Sequence, residues 1–282
     1  MRTEIEIKTL ILDIAEKNVN IRAVLLTGSK ANPNARKDKL QDFDIIYVVT
    51  QLDTFTQNHS WIDVFGDRLI MQLPDEMTIG ERDQHAFHYL LLFTDGNRID
   101  LTLLPLYRFD NLFKEESFFK VLLDKDDRLG IPPTPARGNF IIKPKEKEFL
   151  DCSNEFWWVS TYVVKGLWRK EIVYAKEMLE KPVRAMFLQM IEWYIGIHTN
   201  FTVPFGKSGR NIQHYLSPKL YNQILDTYPD SNIENIWKSL FLMAELFDEL
   251  ANDVANAMHF HYHQEEVDNV KGYLNLIYAM PQ

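Results

Sequence analysis

Residues 21–30 read IRAVLLTGSK and residues 41–49 read QDFDIIYVV, and these two stretches decide the fold. Each contains a short run of aliphatic and β-branched residues next to a turn signal, which predicts two buried strands. Side chains alternate along a strand, so Asp42 and Asp44 are expected on the same face. The two stretches therefore predict a sheet with a pair of neighbouring carboxylates close to a Gly-Ser turn.

A third acid, Asp100, stands at the start of another apolar run, residues 99–104. Two carboxylates held side by side repel each other unless a cation lies between them. Three acids on neighbouring strands would supply the oxygen ligands that Mg²⁺ prefers. Asp42 and Asp44 are therefore candidate catalytic metal ligands, and Asp100 is a candidate third ligand, general base, or both.

The Gly-Ser turn supplies hydrogen-bond donors rather than carboxylates. Backbone N–H groups at Gly28 and the hydroxyl of Ser29 suit phosphate oxygens, and Lys30 adjoins them. An Asp-x-Asp or a Gly-Ser pair alone is often only a turn. The order of strand, Gly-Ser, strand with Asp-x-Asp and strand with Asp is more specific. It predicts a nucleotidyl-transfer site, in which metal ions bridge a triphosphate.

Composition limits the classes of protein that fit. The 282 residues are 46% hydrophobic and 25% charged, which is typical of a globular protein with one large or two ordinary domains. With 31 basic and 40 acidic residues, the formal charge of −9 argues against a nucleic-acid partner and suits a cationic substrate.

Targeting and cysteine signals are few. Residues 1–6 (MRTEIE) carry acids where a signal peptide needs a basic region, and no apolar stretch is long enough to span a bilayer. Cys152 is the only cysteine, which excludes an internal disulfide. We therefore expect a cytoplasmic protein without a membrane partner, either a monomer or a homodimer.

The pattern of elements predicts an α+β protein. An amphipathic helix is expected over residues 3–17, a further helical stretch over 61–65, and a mixed sheet in the first half of the chain. The turn signal at residues 94–97 predicts a hairpin. The predicted strands are residues 21–27, 44–49, 68–73, 89–93 and 99–104.

The second half has a different character. Glycine and proline punctuate residues 130–138, which predicts an interdomain connection and domains over 1–138 and 139–282. Helical periodicity and several tryptophans then predict a helical bundle. The predicted helices are residues 148–178, 182–199, 217–227, 233–258 and 265–278.

Several motifs resemble one known family, the aminoglycoside 6-adenylyltransferases, which inactivate streptomycin and belong to the nucleotidyltransferase superfamily with the polymerase-β-like fold. The resemblance spans most of the chain. One departure is Lys30, where the family is associated with Arg, so bidentate phosphate geometry would be lost there. The motifs are TGSKAN (27–32), QDFDI (41–45), RIDLTLLPL (98–106), VLLDKD (121–126), NEFW (154–157), KGL (165–167), RKEI (169–172) and ENIW (234–237).

The resemblance implies Mg²⁺-dependent transfer of AMP from ATP to the 6-hydroxyl of streptomycin, with release of pyrophosphate and resistance to the antibiotic. It implies a nucleotidyltransferase domain over 1–138 and a helical substrate-binding domain over 139–282. The implied partners are ATP and a streptomycin-like cationic aminoglycoside. The alternatives are another aminocyclitol, alcohol or protein hydroxyl as acceptor, or a nucleotide-binding module without turnover.

The helical half offers candidate substrate ligands. Glu155, Tyr162, Lys165 and Arg169 follow one another at spacings of seven, three and four, so they share one helix face. That face could line a cleft or be an ordinary solvated surface. Glu155, and Glu177 further along the chain, are candidates for binding a guanidinium group, because a carboxylate accepts two hydrogen bonds from it.

Two aromatic residues and one loop lysine complete the candidates. Trp157 and Trp158 are expected in the core, although one of them, with Trp157 preferred, could form the floor of a sugar pocket. Lys207 lies in the glycine-flanked segment 205–210, FGKSGR, and could contact the β- or γ-phosphate of ATP. Lys165 is the rival phosphate ligand, and an exposed loop charge is the alternative for Lys207.

Overall fold

The computed structural model describes residues 1–33, 35, 37–80, 83, 85–109, 119–128 and 140–281. It divides into two compact units, Met1–Gly138 and Asn139–Gln282. The predicted connection at residues 130–138 lies outside the described residues. The roles expected for the two units, nucleotidyl transfer and substrate binding, stay predictions.

The first unit contains, among its described residues, a six-stranded mixed sheet with the order β3-β4-β5-β2-β1-β6. β2 and β5 are parallel, whereas the other neighbouring strands are antiparallel. The predicted α+β class and mixed sheet are thus confirmed. The strands are β1 (Ile21–Leu26), β2 (Phe43–Val49), β3 (Arg68–Gln72), β4 (Phe87–Phe93), β5 (Arg98–Pro105) and β6 (Lys120–Asp124).

Three α-helices and short 3₁₀ turns accompany this sheet in the described part of the unit. The helices are α1 (Glu4–Lys17), α2 (Gly28–Ala31) and α3 (Asp53–Thr56). Thr3 and Glu6 form a capping box that begins α1, as the sequence pattern favours. The predicted helical stretch at 61–65 is part of a 3₁₀ helix, His59–Phe65.

The larger buried cluster of the first unit lies between α1 and one face of the sheet. Ile7 and Ile11 of α1 pack in the same buried cluster as Tyr47 of β2, whose hydroxyl donates to the carbonyl of Ile11 at 2.7 Å. On β4, buried residues such as Tyr89 alternate with partly exposed ones such as His88. On β4 this alternation places His88 on the opposite face, where a smaller buried cluster includes Ile46 and Val48 of β2.

The strand β6 was not predicted. It pairs with β1 as an antiparallel edge strand, and its side chains are only partly buried. The run KVLLD is short and lacks strict alternation of polar and apolar residues, so its local pattern is weak. Pairing with β1 decides its conformation.

The second unit consists of packed helices. They are α4 (Glu146–Trp168), α5 (Ile172–Met178), α6 (Arg184–His198), α7 (Pro218–Asp226), α8 (Ile233–Met258) and α9 (Gln264–Ala279). The rings of Phe156 on α4 and Phe247 on α8 stack with centroids 3.7 Å apart, at the centre of a large apolar cluster. None of the helices in the described ranges combines the length and hydrophobicity needed to cross a membrane.

Two helix boundaries differ from the prediction. The predicted helix 148–178 is interrupted after α4, because Lys170 takes the left-handed conformation with φ of 62°. The N–H of Glu171 then bonds to the carbonyl of Gly166 at 2.8 Å, which closes the helix end. The predicted break before residue 182 is also wrong. A π-helical segment, Leu179–Val183, joins α5 to α6 around Pro182. The wide turn accommodates a proline that lacks an N–H donor.

Candidate active site

The register of β2 and β5 brings two of the predicted acids together. The two strands are parallel, and the Cα of Asp44 lies directly opposite that of Asp100. Neighbouring strands are about 4.8 Å apart, so the two carboxylates are adjacent on one face. Asp42 comes one residue before β2 begins. We call the sheet face that carries Asp44 and Asp100 the acidic face.

Arg98 neutralises part of this face. Its Nε and Nη2 donate to the two carboxylate oxygens of Asp100, each at 2.7 Å, and its Nε lies 3.7 Å from Oδ2 of Asp42. The hydrogen bonds to Asp100, followed by the charges of Asp100, Asp42 and Asp44, outweigh burial and raise the pKa of Arg98. Arg98 was not among the predicted site residues. Its spacing of two from Asp100, on the same strand face, was the available signal.

Asp42 is held in an unfavourable environment for its charge. Burial is the main cause that raises its pKa, the Arg98 guanidinium opposes this, and the nearby Asp100 carboxylate adds to it. Such crowding of like charges is relieved by a cation. The acidic face therefore has the electrostatic character expected of a cation site.

The donor set can be compared with what Mg²⁺ requires. Within the described ranges, no group of three or more His, Cys, Asp or Glu side chains is arranged to hold a metal ion. Asp42 and Asp44 nevertheless supply carboxylate oxygens, the class of ligand that Mg²⁺ prefers. Asp100 accepts one hydrogen bond from Arg98 on each oxygen, which leaves its remaining lone pairs for a further ligand.

The backbone of Gly28 lies tightly against the side chain of Asp44. It has φ of +63°, and a Cβ built on its backbone would overlap Oδ2 of Asp44. The N–H of Thr27 donates to the carbonyl of Asp44 at 2.8 Å, which fixes the turn against β2. Ser29 follows, and its Oγ accepts a hydrogen bond from Nε2 of Gln41 at 3.2 Å. The structure thus brings the predicted Gly-Ser turn and the predicted acids together.

Lys30 points away from the acidic face. Its Nζ lies 3.7 Å from Oε2 of Glu4 and 4.4 Å from the ring centroid of Phe43. Phe43 packs in the buried cluster on the opposite face of the sheet. A contact between Lys30 and a phosphate stays a prediction, and it would require the ammonium group to leave Glu4.

The predicted polar face of α4 is observed as an unburied stripe. Glu155 and Arg169 are exposed, and Tyr162 and Lys165 are partly buried. The hydroxyl of Tyr162 accepts a hydrogen bond from Nε1 of Trp158 at 2.7 Å, and Nζ of Lys165 lies 5.8 Å from the centroid of the Tyr162 ring. Contacts of Tyr162 with Trp158 and Lys165 therefore hold part of this stripe in place.

The two adjacent tryptophans of α4 differ. Trp157 is 5% exposed, packs edge-on against Phe247, and donates from Nε1 to the hydroxyl of Tyr262 at 3.3 Å. Trp158 is 59% exposed, so its predicted place in the core is wrong. Consecutive helical residues are about 100° apart, which turns Trp158 out when Trp157 faces inward. Both line a cavity of about 670 Å³ on α4 and α9, together with Tyr262.

The remaining candidates lie on the surface of the second unit. Glu177 is exposed and pairs with Lys181 one turn further along the chain. Lys207 is exposed in a 3₁₀ turn, Lys207–Gly209, which follows Gly206 at φ of 80°. Substrate roles for Glu155, Trp157, Tyr162, Lys165, Arg169, Glu177 and Lys207 stay predictions.

Comparison with known proteins gives consistent results over the whole chain. A sequence model of streptomycin adenylyltransferase matches residues 1–277. An aminoglycoside 6-adenylyltransferase from Campylobacter jejuni is 40% identical over 272 residues, which is 95% of this chain and 94% of that protein. Proteins of the same name from Bacillus subtilis (strain 168) and Staphylococcus aureus are 39% and 35% identical, and the alignments cover 93% and 97% of their lengths.

A solved structure agrees. The crystal structure of an aminoglycoside 6-adenyltransferase from Bacillus subtilis matches 99% of this chain and 100% of its own, with 34% identity and a TM-score of 0.50. The predicted family, and with it the predicted class of enzyme, is therefore confirmed. The chain belongs to the streptomycin adenylyltransferase family, whose curated relatives are aminoglycoside 6-adenylyltransferases.

Proposed function

We propose that this protein transfers AMP from ATP to an aminoglycoside, with the 6-hydroxyl of streptomycin as the acceptor, and releases pyrophosphate. The observation that carries the proposal is the in-register pair of Asp44 and Asp100 beside the backbone of Gly28. Family membership supplies the class of acceptor, because a nucleotidyltransferase core specifies the reaction more closely than the acceptor.

The residues of the acidic face would divide the work. Asp42 and Asp44 would hold Mg²⁺, which when bound offsets the charge of the triphosphate and polarises the α-phosphate. The Gly28 turn and the hydroxyl of Ser29 would orient the phosphates. Arg98 would orient Asp100 through its two hydrogen bonds, and Asp100 would accept a proton on a lone pair that Arg98 does not occupy.

The transfer requires no reactant other than ATP and the acceptor. The acceptor oxygen forms a bond to the α-phosphorus, and the bond from that phosphorus to the bridging oxygen breaks, so pyrophosphate leaves. The acceptor hydroxyl loses its proton to Asp100. Charge builds up on the leaving pyrophosphate, and Lys165 or Lys207 would contact it, with Lys30 as a further candidate.

The acceptor would be recognised by charge and ring stacking. The formal charge of −9 favours a cationic antibiotic, and the exposed carboxylates of Glu155 and Glu177 can accept its guanidinium groups. Tyr162, Trp157 and Arg169 would complete the substrate contacts. The enzyme would act in the cytoplasm as a monomer or homodimer and would confer resistance to the antibiotic.

One assay tests the reaction. The protein is incubated with ATP, Mg²⁺ and each member of an aminoglycoside panel, and pyrophosphate release and AMP-adduct mass are measured. We expect product with streptomycin, attachment at the 6-hydroxyl by NMR, and loss of product when EDTA removes the metal. Product only with another aminocyclitol or a protein hydroxyl would show that the acceptor is not streptomycin. ATP binding without product would indicate a nucleotide-binding module.

A further inference from the structure

A histidine lies on the acidic face next to the proposed base. On β4, the Cα of Leu90 is opposite that of Asp100, and the Cα of His88 is opposite that of Thr102. Leu90 and His88 share the partly exposed side of β4, because the residues between and beside them are buried. His88 is therefore one strand away from Asp100 and two residues further along the same face.

Asp75 holds this histidine in one orientation. Its Oδ2 accepts from the backbone N–H of His88 at 2.6 Å and lies 3.0 Å from the ring Nδ1. Its Oδ1 accepts from the N–H of Asp83 at 3.1 Å, and the Asp75 side chain is only 7% exposed. A carboxylate accepts hydrogen bonds, so the Nδ1–H tautomer of His88 satisfies this contact and leaves Nε2 as the acceptor of a side chain that is 29% exposed. In the described part of the chain, Nε2 has no hydrogen-bond partner.

The next acid along the chain holds a second histidine on the opposite face. Oε1 of Glu76 lies 3.0 Å from Nε2 of His59, and Nδ1 of His59 lies 2.8 Å from the hydroxyl of Tyr89. The His59 ring also stacks on Phe87 with centroids 5.9 Å apart, beside the buried cluster. Both nitrogens of His59 are thus engaged, which gives it a structural role. His88 differs because one nitrogen is left for a ligand.

The strand order indicates which ligand that is. The Gly28 turn follows β1, and β1, β2, β5 and β4 are successive neighbours in the sheet. The triphosphate proposed above contacts the Gly28 turn and the acids of β2. The space beyond Asp100, over β4, is therefore on the side of the acceptor rather than of the nucleotide.

We propose that His88, held by Asp75, is an acceptor-binding residue of this enzyme. Its Nε2 accepts a hydrogen bond from a hydroxyl or a cationic N–H group of the aminoglycoside, and so places the reacting hydroxyl at Asp100. This inference rests on the proposed function, because it takes the acceptor to be an aminoglycoside. It adds a residue on β4 to the recognition of that acceptor.

The test compares His88→Ala with a matched control, His59→Ala, each checked for an unchanged circular dichroism spectrum. Acceptor kcat/KM is measured at saturating ATP, and the KM for ATP at saturating streptomycin. We expect His88→Ala to lower acceptor kcat/KM about tenfold, as for the loss of one hydrogen bond to a charged or polar group, with little change in the KM for ATP. Asp75→Asn should lower it less, because the amide oxygen still accepts from Nδ1. His59→Ala should leave acceptor kcat/KM within about twofold of the wild-type value.

A second measurement avoids variants altogether. In the ¹⁵N-labelled wild-type protein, streptomycin should shift the His88 Nε2 resonance, and a non-hydrolysable ATP analogue should not. Unchanged acceptor kcat/KM in His88→Ala, an equal loss for ATP, or a silent His88 resonance would overturn the inference while the proposed function stands. A wild-type protein that modifies no aminoglycoside would reject the proposed function and this inference with it.

Discussion

The sheet unit and the helical unit arrange their polar residues in contrasting ways. In the sheet unit, Asp44, Asp100 and Arg98 come from two strands and meet on one face. In the helical unit, the predicted substrate residues Glu155 and Glu177 lie exposed, and the contact found for Glu177 is to a residue one turn away. A sheet brings distant parts of a chain into register, whereas a helix orders only its own face.

The two units also differ in what their aromatic residues do. In the helical unit, Phe156, Trp157 and Phe247 pack together in the core. In the sheet unit, buried aromatic residues such as Tyr47 pack on one face of the sheet, and the acidic face carries a smaller apolar cluster, which includes Ile46, Val48 and Leu104, beside its acids. The candidate catalytic residues of the sheet unit therefore lie on its surface, whereas Trp157 of the helical unit lies in the core. Substitutions in the first region are expected to act mainly on catalysis, and core substitutions in the second mainly on stability.

The largest effect is expected for Asp44→Asn. It removes the carboxylate that lies opposite Asp100, and we expect kcat to fall at least about 10³-fold, because the charge that holds a cation at the phosphate is lost. The temperature of unfolding should change little. Asp13→Asn, on the exposed side of α1, is the matched control and should keep wild-type kcat. Near-normal rates in Asp44→Asn would remove the acidic face from the mechanism.

Trp157→Ala should affect the stability of the helical unit strongly. The side chain is 5% exposed, and its removal leaves a cavity, so we expect the free energy of unfolding to fall by about 3–5 kcal/mol. Trp158→Ala removes a 59% exposed ring and should cost less than about 1 kcal/mol. Urea denaturation of both variants measures the difference. Equal losses would show that the two tryptophans are not divided between core and surface.

Gly28→Ala should lower activity more than stability. The new Cβ would overlap the Asp44 carboxylate, so that side chain must move, and we expect kcat/KM to fall about 10²-fold. Gly80 also has a positive φ, but no atom lies within 4 Å of its would-be Cβ. Gly80→Ala should therefore cost roughly 1–2 kcal/mol of stability from backbone strain, with unchanged kcat/KM. Similar kinetic losses in both variants would mean that strain, rather than the contact with Asp44, is responsible.

The smallest effect concerns the pH dependence of stability at Asp42. Its pKa in the folded protein is raised above 3.8, so the folded state binds the proton more tightly than the unfolded state does. Stability is therefore lost as the pH rises from the unfolded pKa through the folded one. The Asp42→Asn variant has no carboxylate at this position and does not lose stability in this way. Its free energy of unfolding should therefore rise relative to that of the wild-type protein as the pH rises. The difference should be less than about 1 kcal/mol, because the group is partly exposed. Free energies of unfolding from pH 3 to pH 7 measure this, and parallel curves would contradict it.

Much of the sheet site could be predicted from local patterns. The placement of Asp42 and Asp44 on one face and of a turn at Gly28 could be predicted, because alternation and turn chemistry depend on residues close in sequence. The partners of these residues were not found. Arg98 bonds to Asp100, and Asp75 orients His88 across thirteen residues, and both arrangements depend on how β3, β4 and β5 are aligned.

The helical half shows the same limit. Periodicity predicted most of its helices, since amphipathic spacing is a local property. The left-handed Lys170 and the π turn at Pro182 were missed, because they follow from how α5 and α6 pack against α4. The exposure of Trp158 was missed for a similar reason, since a tryptophan is usually buried and only the rotation of α4 decides which of two neighbours faces out.

The amino-acid sequence alone determined the first five strands with their turns, the acids that share a strand face, and the family. The tertiary structure alone decided that Asp44 faces Asp100, that Arg98 pairs with Asp100, and that His88 joins their face. The reason is physical: side-chain direction along one strand is set by its own backbone, but the neighbour and register of that strand are set by the packing of the whole sheet.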